Sequence, residues 1–99
     1  MAALTANRVN ITADTDTVLY SATVRGCTSF SVTVPSSSSY GVKVNVVGLH
    51  VAGEGFPVAV GATVIFRYYD CGITSVIAQG DGGTATGVTY GVVSKTRAV

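Results

Sequence analysis

The sequence predicts an all-β fold: a single-domain antiparallel β-sandwich or small barrel of seven to eight short strands. Three observations lead there. Apolar and polar residues alternate with a period of two in one segment after another. Turn residues (Gly, Pro, Asp, Ser) interrupt that alternation roughly every 8–12 positions, the spacing of sandwiches and barrels. No stretch of about ten residues carries a helical period with a cap.

Taken in order, Arg8 to Ala13 places Val9, Ile11 and Ala13 on one side and Arg8, Asn10 and Thr12 on the other, a half-buried strand. Asp14-Thr15-Asp16 supplies a turn. Thr17 to Val24 resumes with Val18, Tyr20, Ala22 and Val24 in phase, until Arg25-Gly26 breaks it. Phe30, Val32 and Val34 alternate cleanly with Ser29, Ser31 and Thr33, and Pro35, which has no amide proton to donate, stops that strand. Ser36 to Ser39 reads as an exposed polar loop. From Tyr40 to Val47, Val42, Val44 and Val46 point inward while Lys43 and Asn45 point out. After a short mixed segment and the Gly53-Glu54-Gly55 turn, Phe56 to Val60 is extended but carries Pro57, which places it at a sheet edge or outside the ladder.

The stretch from Gly61 to Gly83 organises the rest. Thr63 to Tyr69 is almost wholly β-branched and aromatic, Asp70-Cys71-Gly72 interrupts it, and Ile73 to Ala78 resumes it. It reads as two strands joined by a tight connection, with Gly80-Asp81-Gly82-Gly83 as a hairpin turn into the last strand, Thr84 to Val93. In that last strand Thr86, Val88, Tyr90 and Val92 share one side, and the small residues Ala85, Gly87, Thr89 and Gly91 lie opposite. Val64, Phe66 and Tyr68 point one way; Thr63, Ile65, Arg67 and Tyr69 point the other. The second set is too apolar for a solvated face. Ile65, Arg67 and Tyr69 are therefore the candidate interface.

Ninety-nine residues suffice for one core and not for two. Hydrophobic residues make up 47% and charged ones only 11%, so the chain is not of the disordered class, and its surface must be Ser, Thr, Gly and Asn or be covered by other subunits. A net charge of +1, with basic residues scattered, gives no electrostatic basis for binding nucleic acid or an anionic membrane. No apolar run approaches a membrane-spanning length. The N-terminus lacks the basic and hydrophobic regions of a secretory signal, and its Met1 fits cytoplasmic synthesis. Cys27 and Cys71 would close a loop of about 45 residues worth about 4 kcal/mol if bridged. Two buried thiols are the favoured alternative in a reducing compartment.

No constellation carries chemistry. His50 is the sole histidine, which excludes a metal site built on several imidazoles, and no metal or other cofactor is expected. Asp14-x-Asp16 opens like a calcium loop but lacks the glycine and the glutamate that must follow. No serine sits in Gly-x-Ser-x-Gly, and Gly80-Asp81-Gly82-Gly83 lacks the lysine and helix of a phosphate loop. His50 with Glu54 is the only acid/base pair to weigh, and loop polarity explains it as well. The chain is expected not to be an enzyme. Tyr40, Tyr68 or Tyr69 offers a stacking platform for a glycan, without the tryptophan such sites favour.

Across residues 7–94 the pattern resembles small virion accessory proteins of tailed bacteriophages. The residues that carry the likeness are a threonine-rich first hairpin (Thr15 to Val24), the Pro35 to Ser39 loop and the approach Gly55-Phe56-Pro57-Val58-Ala59-Val60-Gly61. A late Ile77-Ala78-Gln79-Gly80 turn into a final valine-rich strand completes it. The resemblance implies a β-domain that decorates or stabilises a capsid, or joins tail parts, as a homo-oligomer. It implies a virion location, a major capsid or other virion protein as partner, and no catalytic residues. A trimer is the expected assembly, with residues 1–7 and 94–99 as arms that order on a partner. Two alternatives stand beside it: a glycan-binding module at a tail or fibre tip, using a tyrosine and the Gly53-Glu54-Gly55 loop, and a small hydrolase with His50 as its base.

Overall fold

A computed structural model describes residues 7–13, 15–22, 26–46, 55–68 and 72–94. They form eight strands and no helix: β1 (Asn7–Ile11), β2 (Thr17–Ser21), β3 (Ser29–Thr33), β4 (Val42–Val46), β5 (Phe56–Val58), β6 (Thr63–Arg67), β7 (Ser75–Gly80) and β8 (Ala85–Ser94). The strands make two four-stranded antiparallel sheets, ordered β1-β8-β3-β6 and β2-β7-β4-β5. Neither sheet closes on itself, so of the two expected architectures the chain adopts the sandwich.

Alternation decides which side chains meet between the sheets. Phe30 and Val32 of β3, with Val34 just beyond it, are buried, as are Val42, Val44 and Val46 of β4 and Val76 and Ala78 of β7. Aromatic rings tie the layers together. Tyr20 of one sheet lies 5.6 Å from Phe30 of the other, and Phe30 stacks on Tyr90 at 6.2 Å. Phe56 and Phe66 meet edge to face at 5.6 Å between β5 and β6.

The pairing departs from the sequence reading. Only β4 and β5 are both consecutive and hydrogen-bonded; the other neighbours are distant in sequence. β6 and β7 belong to different sheets, so Gly61 to Gly83 is not a paired unit. Gly80-Asp81-Gly82-Gly83 likewise carries the chain from β7 in one sheet to β8 in the other, and is not a hairpin turn. Thr15 to Val24 holds one described strand, β2, which pairs with β7 rather than folding back as a hairpin. Each of these connections is short enough for a hairpin. They instead join strands that lie in opposite layers.

Two bulges shift phases that strict alternation predicts. In β2, Val18 pairs with Ile77 and Tyr20 with Val76, so Leu19 is an extra residue. It turns inward and is buried, while Val18 is 59% exposed, the reverse of the expected phase for Val18. In β8, Ile11 pairs with Ala85 and Val9 with Val88, so β8 carries one residue more than β1. Gly87 takes φ +68 there, a backbone that L side chains rarely adopt, and its N–H donates to Asn10 Oδ1 at 3.0 Å. The bulge puts Ala85 inside and Thr86 out, against the expected set, while Val88 and Tyr90 keep their inward phase.

Candidate functional site

The predicted interface strand is β6, and its two faces separate as expected. Phe66 is buried, whereas Ile65 is 43% exposed and Thr63 and Arg67 are exposed. Tyr69 lies outside the described residues. β6 is not central: among the described residues it is the edge strand of its sheet, bonded only to β3. The outer surface beside Ile65 is less apolar than its own strand suggested. Its neighbours across the ladder are Ser31 and, flanking it, Ser29 and Thr33, the last sharing a hydroxyl–hydroxyl hydrogen bond of 2.8 Å with Thr63.

Exposed apolar side chains concentrate along this rim. Of six large hydrophobic residues exposed among the described residues, four fall between Phe56 and Tyr68: Phe56 (39%), Val60 (41%), Ile65 (43%) and Tyr68 (37%). β5 and β6 line the same side of the sandwich, as the Phe56–Phe66 contact requires. Sequence reading missed Phe56 and Val60, although Pro57 had placed the segment at an edge or outside the ladder, and β5 proves to be an edge strand.

The four sheet edges differ in how well they resist pairing with another chain. β2 is bulged. β1 faces a bulge in β8 and exposes Arg8 and Asn10. β5 is three residues long, and Pro57 at its middle lacks an N–H. β6 alone pairs with its neighbour through five residues in unbroken register and holds no proline. Its outward hydrogen-bonding groups follow from the ladder. Val34 N–H donates to Ala62 O at 3.0 Å and Tyr68 N–H donates to Thr28 O at 2.8 Å, flanking the strand. By antiparallel alternation, Val64 and Phe66 also turn their backbone groups to β3, while Thr63, Ile65 and Arg67 turn theirs to the open edge.

A second cluster sits around the start of β4. The hydroxyl of Ser38, buried despite the polar loop around it, donates to Tyr40 O at 2.7 Å and accepts the Thr86 N–H at 3.1 Å. The ring of exposed Tyr40 lies so close over Gly83 that any Cβ there would overlap it. Lys43 and Asp81 approach to 3.8 Å beside it, both exposed. Of the Gly53-Glu54-Gly55 loop expected beside a tyrosine, Gly53 and Glu54 lie outside the described residues, and Gly55 packs against Lys43. Tyr68 lies at the other end of the molecule from Tyr40.

Of the remaining candidates, His50, Glu54, Asp14 and Cys71 lie outside the described residues. Asp16 accepts a hydrogen bond from Gln79 Nε2 at 2.6 Å. Cys27 is fully buried, its backbone bridged to Ile73. Against known proteins, the chain matches no family model, no curated protein and no solved structure.

Proposed function

We propose that this chain is a structural virion protein, a β-domain that associates with copies of itself and decorates or stabilises a protein shell. The observation that carries the reading is the β5–β6 rim, where an unblunted edge strand exposes Ile65 on the side of the sandwich that also exposes Phe56. Such a strand on a solitary molecule is an aggregation hazard, and covering it is the usual resolution. A charged fraction of only 11% suits a surface shared with neighbours. The likeness to phage accessory proteins supplies the biological setting, with the major capsid protein or another virion protein as the second partner. The function needs neither a cofactor nor a catalytic group.

Gold-labelled antibody against the chain, imaged on purified phage particles that encode it, tests the setting: label on the shell is expected, and label confined to the soluble lysate would contradict it.

Tyr40 favours a second reading, glycan binding. Its ring is propped on Gly83 beside Asp81 and Lys43, so an apolar face and polar groups converge as sugar sites require. A glycan array in which wild type and Tyr40→Ala give the same blank result removes it.

A further inference from the structure

Resting on the self-association proposed above, we infer that two copies of the chain join edge to edge through β6. The two strands run antiparallel about a two-fold axis at Ile65, fusing two four-stranded sheets into one of eight.

The register follows from which groups are free. Thr63, Ile65 and Arg67 turn their N–H and C=O to the open side, so these must form the hydrogen-bonded pairs of a new ladder. A two-fold antiparallel arrangement that uses all three places Ile65 opposite Ile65 of the second copy, and Thr63 opposite Arg67 in both directions. Every outward donor then meets an acceptor. The same register keeps the two guanidinium groups apart, each facing a threonine, so no like charges oppose one another. Centring on Thr63 or Arg67 instead leaves overhanging strand ends and, in the second case, sets Arg67 against Arg67.

Side chains favour the same choice. On the outer face the two exposed Ile65 side chains become direct cross-strand neighbours and cover each other. On the inner face half-buried Val64 comes opposite Phe66, extending the core across the junction. Phe56, which meets Phe66 edge to face, lies on the same side of the sandwich. The other edges do not compete, because two are bulged or face a bulge and β5 carries Pro57. A two-fold pair replaces the trimer that the resemblance implied.

Two measurements test this. Cysteine placed at the axis by Ile65→Cys brings two thiols onto Cα atoms about 5.5 Å apart, within disulfide reach. Under mild oxidation that variant is expected to form a covalent dimer, while Thr63→Cys alone is expected to stay at the background of the unsubstituted chain, whose Cys27 and Cys71 set the baseline. Mixing Thr63→Cys with Arg67→Cys should restore the cross-link. Equal cross-linking of Ile65→Cys and Thr63→Cys, or none from either, overturns the register.

Light scattering separates this inference from the reading beneath it. The unsubstituted chain is expected at twice its 10.0 kDa mass. Ile65→Lys, which sets two ammonium groups face to face, is expected to weaken the dimer by roughly tenfold or more with an unchanged circular dichroism spectrum. A chain that stays monomeric at every concentration overturns both self-association and the edge pair. A trimer, or a dimer indifferent to Ile65→Lys, overturns the edge pair and leaves self-association standing. If Ile65→Lys fails to fold, Ile65→Pro replaces it, since it deletes only an N–H that points away from β3.

Discussion

Ser38 shows how much one hydroxyl can hold. It is buried in a loop of exposed serines and connects three backbone groups, the C=O and N–H of Tyr40 and the N–H of Thr86. Removing it leaves part-buried backbone groups without that partner, so Ser38→Ala should cost about 1 kcal/mol in a denaturant titration. Ser37→Ala, one position earlier and exposed, should cost almost nothing. Gly87 makes a different demand. With φ at +68 it accepts alanine only at a backbone penalty, and Gly87→Ala is expected to lose roughly 1–2 kcal/mol by the same titration. Phe66, buried against Phe56, is expected to cost about 3–5 kcal/mol as alanine, through lost burial and the cavity left behind.

At the scale of elements, the positions of the strands were legible and their partners were not. β3 and β4 could be read directly, because Phe30, Val32, Val42, Val44 and Val46 alternate without interruption and every one is buried. β2 and β8 misled where a single inserted residue reversed the phase: Val18 and Thr86 look inward by count and face out by structure. Only Gly87 hinted at its bulge, and nothing in Thr-Val-Leu-Tyr-Ser marks the one at Leu19. Strand pairing was hidden for a different reason. A short glycine-rich connection such as Gly80 to Gly83 can turn back within a sheet or step across to the facing one, and local residue preferences serve both. The choice depends on which distant strand completes each layer. The candidate surface was legible in part. Ile65 and Arg67 were placed on an outward face, but the edge position of β6, and with it Phe56 and Val60, depended on the pairing. Pro57 bears on this directly. Pro57→Val gives β5 a third N–H, and this variant should aggregate more readily than wild type in a thioflavin or turbidity assay; equal behaviour would mean that β5 needs no protection.

Across the whole molecule, nearly every ladder joins residues far apart in the chain: Asn7 lies opposite Tyr90, and Ser29 opposite both Arg67 and Ser94. Loop closure must precede most of the stabilising contacts, so refolding is expected on the millisecond-to-second scale of sandwiches, which stopped-flow fluorescence of the tyrosines would follow. During that interval the β6 edge is open, and pairing with a second copy would close it. Hydrogen exchange at individual amides reads that pairing most directly. Val64 and Phe66 donate to β3 and should be protected at every protein concentration. Thr63, Ile65 and Arg67 should exchange quickly in dilute solution and slow together as concentration rises. Outward amides that remain fast in concentrated solution would contradict the edge pair, whatever mass the particles showed.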